Sequence, residues 1–315
     1  MWRFILRRLG FFVFTLLLTS VLIFALTRVL PGDVARVLLG REAGEAEVAA
    51  LREELGLNQP LHVQYVEWVR DFVTGNWGLT FSRPAQDILQ LVGQRALNSA
   101  RLAAITMLIA VPLSLLLGVI AGLTENRLPD NTISVLTLSV VSLPEFVTGI
   151  FLINILALEL RLFPASSAVS PSATFEEALP SLWLPALTAT LVLLAYITRL
   201  TRAGVIEELK RDYVRTATLK GLPYRVVIVK HVLRNALIPT ITVIATSTGW
   251  LMSGLVVIEF VFSYPGLGRL LTFAIDKRDL PLIQAIVMVT VMVILVANFV
   301  ADLLYAILNP RISFD

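Results

Sequence analysis

LAAITMLIAVPLSLLLGVIAGL, residues 102–123, holds no charged side chain. A hydrocarbon core about 30 Å thick needs roughly 20 mainly apolar helical residues, so this run alone is long enough to cross a membrane. Five further stretches meet the same standard: 9–30, 132–158, 182–200, 236–262 and 282–308. Together they predict an all-α integral membrane protein with six transmembrane helices. Composition agrees. Of 315 residues, 57% are hydrophobic and 16% charged, and the mean hydropathy is +0.80. Soluble domains carry about 45–50% apolar and about 25% charged residues. That balance excludes disorder and an ordinary soluble enzyme.

Arg3, Arg7 and Arg8 ahead of the first run resemble the start of a secretory signal. The run exceeds the roughly 7–15 residues of a signal core and no A-x-A site follows it, so a retained first span is expected. Orientation follows from the basic residues. Between spans four and five, nine Lys and Arg from Arg199 to Arg234 face only Glu207, Glu208 and Asp212. With six spans, this region and the N-terminus share a side, which the positive-inside rule makes the cytoplasm. Both termini are then cytoplasmic. The expected parts are 1–30, the N-terminus and first span; 31–101, a sizeable extracytoplasmic segment; and 102–315, a five-helix core with the cytoplasmic loop 202–235. Within 31–101, residues 44–55 have high helix propensity, and Asn58-Gln59-Pro60 breaks the helix.

The chain offers little for covalent chemistry. It has no cysteine, and His62 and His231 are its only histidines, so no thiolate or metal constellation is expected. No G-x-x-x-x-G-K-[ST] is present, so this chain has no P-loop for ATP. Gly266-Leu267-Gly268 lacks the third glycine of a dinucleotide fingerprint. Ser253-Gly254 lacks the start of a nucleophile elbow. No catalytic residue, cofactor or metal is assigned, and the net charge of +3 is read against lipid rather than nucleic acid.

Residues 205–219 read as an amphipathic helix, with Val205, Leu209, Tyr213 and Ala217 on one face. Gly221 supplies a C-terminal turn, and Leu222-Pro223 opens a second short helix over 223–233. This helix–turn–helix elbow is small-residued and basic. It suits either docking to another protein or resting on anionic headgroups of membrane lipid.

Here the sequence resembles a known family. Asp212-Tyr213-Val214-Arg215-Thr216-Ala217-Thr218-Leu219-Lys220-Gly221-Leu222, then His231-Val232-Leu233-Arg234-Asn235-Ala236-Leu237-Ile238-Pro239, looks like the coupling loop of ABC-importer permeases of the dipeptide/oligopeptide/nickel class. Leu30-Pro31-Gly32-Asp33, Leu55-Gly56-Leu57-Asn58-Gln59-Pro60, Gln64-Tyr65, Ser142-Leu143-Pro144 with Phe146, the run from Phe262 to Gly268, Arg278-Asp279 and Pro281 are similar to the same family. So is Leu308-Asn309-Pro310-Arg311-Ile312, although Asn309 stands where Asp is usual. Asn76 likewise replaces the acid of Gly-Asp-x-Gly at 75–78. The resemblance implies that Tyr213, Arg215, Thr216, Ala217, Lys220, Gly221, Leu222 and His231 couple to a cytoplasmic ATPase. It also implies a second permease that is a different chain, two P-loop ATPase subunits that hold ATP and Mg, and an extracytoplasmic solute-binding protein. The setting it implies is the cytoplasmic (inner) membrane of a bacterium or archaeon. Its cargo range is dipeptides, longer peptides, nickel chelates, glutathione and some oligosaccharides.

Ionisable groups within spans cost roughly 2.5–3.5 kcal/mol at mid-helix on insertion scales. Glu145, after Pro144 in span three, is a candidate for the translocation path, because a proline kink frees a carbonyl and often lines a cavity. Glu259 in span five reads as a gate residue or as a carboxylate paired for structure. Asp302 reads as a cap or ion-pair partner, and Arg28 as snorkelling to the interface. Gly118-x-x-x-Gly122 allows close helix approach. An ion-gradient-driven secondary transporter, the alternative reading, would need paired carboxylates or inverted repeats; only Glu145 and Glu259 are available and no repeat is visible.

Overall fold

Apolar runs become helices here because hydrocarbon offers backbone N–H and C=O groups no other partner. The computed structural model describes residues 2–29, 34–39, 43–54, 56–82, 84–169 and 174–308. The helices are α1 (Trp2–Val29), α2 (Val34–Leu39), α3 (Glu45–Glu54), α4 (Leu61–Thr74), α5 (Ile88–Leu123), α6 (Leu128–Val141) and α7 (Glu145–Leu152). Then follow α8 (Phe175–Leu209), α9 (Asp212–Leu219), α10 (Tyr224–Val226), α11 (Leu233–Val261), α12 (Leu267–Lys277) and α13 (Leu280–Leu308). Two π-helical stretches, Ile153–Glu159 and Val227–Val232, extend α7 and join α10 to α11. Motif positions 30–33, Leu55 and 309–312 lie outside the described residues.

Among the described residues, five helices are long and apolar enough to cross a membrane, or six crossings if the bent pair α6 and α7 is one span. The architecture is the expected all-α membrane fold. Five elements differ in detail from the sequence reading. Span three is not a kinked continuous helix: its halves meet at 104°. Pro144 has no N–H and disfavours a helical Leu143, so α6 ends and Pro144 becomes the extended N-cap of α7, at φ −57° and ψ 143°. Span two begins at Ile88 rather than near 102. Span four runs on to Leu209, so Arg199 and Arg202 are helical rather than loop residues. The helix expected over 205–219 is therefore two helices. Lys210 closes α8, Arg211 is extended, and Asp212 opens α9, where a carboxylate favours the positive end of the helix. Finally, 223–233 is no separate helix; it runs through the π stretch into α11.

The chain divides into two compact units, one of Met1–Ile5, Ser99–Pro265 and Val293–Asp315, the other of Leu6–Asn98 and Gly266–Met292. In the first, Leu102, Leu182, Leu193, Ile197, Leu255 and Phe262 form a buried core. Helix α8 is its hub, packing on α6, α7 and α11. Glycines set the spacing. A Cβ on Gly122 would lie 2.7 Å from Val205 Cβ, and one on Gly204 would lie 2.7 Å from the Ala236 carbonyl oxygen. The Gly118-x-x-x-Gly122 pattern is thus the seat of α8 on α5.

The second unit buries Ile88, Val92, Leu267, Leu270, Leu282 and Ile286. Tyr65 and Trp68 of α4 meet Phe24 of α1, and Phe72 stacks on Trp77 at 4.9 Å. Asp279 is fully buried. Its carboxylate accepts the N–H groups of Phe81 (2.7 Å), Ser82 (3.3 Å) and Leu282 (3.3 Å). Burial pushes its pKa up, against the pull of those three donors. Asp279→Ala would orphan all three, at a cost of about 3 kcal/mol. Thermal unfolding in detergent should show a melting temperature several degrees lower; an unchanged one would refute a stabilising role for these three hydrogen bonds.

Candidate functional site

The elbow is built on a small apolar core. Val205, Val214, Ala217, Val227, Ile228, Val232 and Ala236 are buried together, with Val119, Leu123, Leu209 and Leu233 packed around them. Helix α9 ends in a Schellman motif. The N–H of Leu222 bonds the Ala217 carbonyl at 3.4 Å, and that of Gly221 bonds Thr218 at 3.0 Å. Gly221 takes φ +73°, which only glycine adopts without penalty.

The eight predicted coupling residues fall into two groups. Arg215, Thr216, Lys220, Gly221 and Leu222 are exposed. Ala217 is 5% exposed, so its smallness lets α9 approach this chain's own helices, not a partner. Tyr213 is a brace. Its hydroxyl donates to the Glu208 carboxylate, accepts from Asn235 Nδ2 at 3.1 Å and stands 3.4 Å from the half-buried His231's carbonyl oxygen. It so links the ends of α8 and α11 to α9. Burial, then the bond to Glu208, raises its pKa and keeps the phenol protonated. Sequence reasoning missed Leu219 and Tyr224, which are 79% and 65% exposed. With Arg215, Lys220 and Arg225 they give the elbow a protruding basic and apolar face. The signal was there: Leu219 and Tyr224 flank the Gly221 turn.

In the spans, the fold brings Pro144 and Glu145 together at the 104° break. The Glu145 carboxylate lies over Gly254, where a Cβ would sit 3.3 Å from one oxygen and 3.4 Å from the other. Among the described residues it makes no hydrogen bond or ion pair. Leu143, Phe146 and Val147 are exposed around it. Glu259 is different. It is 1% exposed and accepts a 2.5 Å hydrogen bond from Ser99, the arrangement of a carboxylate held inside helix packing. Near the elbow, Asp130 is equally buried and paired with Arg202, a contact no local pattern announces.

Residues 114–314 match the family model described as binding-protein-dependent transport system inner membrane component. The chain belongs to this family. Residues 1–87 match the N-terminal part of such membrane components. The permease is 36% identical over 320 residues to the glutathione transport system permease protein GsiC of Shigella flexneri, and 37% identical over 314 residues to that of Salmonella typhi, with 100% of each chain covered. It also resembles the crystal structure of an amino acid ABC transporter with histidines. That match has a TM-score of 0.54 at 13% identity and covers 69% of this chain and 94% of that one, which is a likeness of fold. The permease is a multi-pass inner-membrane subunit of an ATP-driven importer of the peptide class. That places it with ABC importers rather than gradient-driven carriers.

Proposed function

We propose that this permease forms half of a translocation path for small peptides or a related solute, and that its elbow transmits the state of a cytoplasmic ATPase. The elbow's exposed face carries the proposal. Arg215, Leu219, Lys220, Leu222 and Tyr224 stand out from a helix whose other side is fixed in the chain's own core. An exposed apolar patch rimmed by charge marks a protein interface. A second, different permease supplies the other half of the path. Two P-loop ATPases, which hold the ATP and Mg, bind the elbows from the cytoplasm, where both termini also lie. A solute-binding protein delivers cargo from outside. Closure of the ATPase pair on ATP moves the elbows, and the spans shift with them. Energy enters as differential binding of ATP to two global states. Pro144 and Glu145 line the path at the break. Glutathione, named for relatives at 36–37% identity, is the first cargo to try.

The test is purification of the tagged chain in mild detergent from its native membrane, with mass spectrometry of what accompanies it. ATPases with P-loops and a second permease are expected. Recovery of the chain alone, still competent for uptake driven by an ion gradient, would overturn the reading.

A further inference from the structure

The base of α6 is tied to α8 by one buried ion pair. Asp130 accepts Arg202 Nε on Oδ1 at 2.5 Å and Arg202 Nη2 on Oδ2 at 2.7 Å. The same carboxylate accepts the Asn126 N–H at 2.9 Å and the Ser134 hydroxyl at 3.3 Å. Asn126 sits in the turn between α5 and α6 at φ +60°, so Asp130 pins that turn as well. Beside it, Lys210 at the end of α8 reaches Glu125 at 3.0 Å. The pair thus lies where three elements meet, on the helix that leads into α9.

What surrounds this pair determines what it can do. The elbow is packed on the ends of α5, α8 and α11 by the apolar core around Val205 and Val214. These ends and the elbow share one packed core, so they form one block. Helix α6 is outside that core; it packs on α8, and its base is tied to the block by the turn at 124–127 and the Asp130–Arg202 fork. It has 14 residues, about 21 Å at 1.5 Å per residue, and its far end is the break before Pro144. A displacement at its base therefore arrives at the break and at Glu145. Without the fork, α6 would keep its packing on α8 but lose the directional polar tie that fixes its base to that helix.

We propose that the Asp130–Arg202 pair is the strut that carries elbow motion to the broken third span, making both of them positioning residues for transport. This rests on the elbow being the ATPase dock. The strut depends on shape as well as charge. Arg presents two N–H groups in a rigid fork that meets both carboxylate oxygens; Lys brings the same charge on a flexible stem with no fork. A pair needed only to neutralise a buried charge would accept Lys.

The experiment compares purified, lipid-reconstituted importer complexes carrying wild-type chain, Arg202→Lys or Asp130→Asn, reading cargo moved per ATP hydrolysed. Arg202→Lys should assemble with its ATPases and hydrolyse ATP, yet move about tenfold less cargo per ATP; Asp130→Asn should lose more. Because the chain has no native cysteine, Asp130→Cys with Arg202→Cys can be bridged by a short thiol cross-linker. Bridging should restore cargo per ATP towards wild type. A wild-type ratio in Arg202→Lys, or no recovery on bridging, would overturn the strut while leaving the importer reading intact. A wild-type complex that hydrolyses ATP without moving cargo would overturn the importer reading, and the strut with it.

Discussion

Gly221→Asp leaves the permease inserted and folded, but the ATPase subunits no longer accompany it and uptake falls at least about a hundredfold, the effect of losing roughly 2.7 kcal/mol of docking free energy. Two observations separate the fold from the function here. First, a Cβ at Gly221 would meet nothing within 4 Å, so the new side chain disturbs no packing. Its cost is the left-handed backbone at φ +73°, about 1–2 kcal/mol and least for Asp and Asn, which visit that region more readily than other residues. Second, the position lies on the exposed face between Lys220 and Leu222. A surface that shows Arg215, Lys220 and Arg225 is matched by a partner of opposite charge, and a carboxylate placed in it is repelled and stripped of water at once. Co-purification and uptake measured together, with a melting curve as the control for folding, check this. Normal uptake in the variant would remove the elbow from the mechanism.

Gly118→Ala is the second large effect, and it acts on the fold. A single methyl there would lie 2.5 Å from Thr201 Cβ, 2.8 Å from the Thr198 carbonyl oxygen and 2.9 Å from Thr201 Cγ2. Carbon atoms sit best about 3.5–4.0 Å apart, and neither a β-carbon nor a backbone oxygen can rotate away. Helices α5 and α8 must separate, loosening the 3.3 Å hydrogen bond from Thr198 Oγ1 to the Ser114 carbonyl and the packing around Gly122. A loss of at least about 3–4 kcal/mol is expected, enough to cut the amount of folded protein recovered from membranes severalfold. Gly93→Ala on the same helix is the internal control. A Cβ there meets nothing within 4 Å, and alanine is the better helix former by about 1 kcal/mol, so that variant should be as stable as the parent or slightly more so. Equal yields and melting temperatures for all three proteins would refute the close seat.

Much of the fold could be read locally. Residues 102–123 announce a span without reference to anything else in the chain. Helix α3 and the end of α9 follow from propensity and from one glycine. The site was legible where it depends on exposure: a basic turn at Gly221 between two helices reads as an elbow from spacing alone. It was not legible where it depends on what faces inward. Tyr213 and Ala217 share a stripe with Val205, but the stripe does not say that Tyr213 bonds Glu208 and Asn235 or that Ala217 is a contact within the chain. Glu145 and Glu259 look alike in sequence, as acids in apolar runs. Only the packing leaves one at an open break and closes the other against Ser99.

The sequence by itself therefore determined the all-α membrane class, the basic elbow and the family. The first two rest on residues within a helix turn or a span of one another, and the family on the order of short motifs along the chain. The tertiary structure decided the 104° turn at Pro144, the lengths of α5 and α8, the seat of α8 on Gly118 and Gly122, and the Asp130–Arg202 fork. That fork joins residues 72 apart in the chain. Proline forbids a continuous helix but sets no angle, and a carboxylate buried in a membrane bundle demands a partner without naming it. Both are settled by which helices close around them.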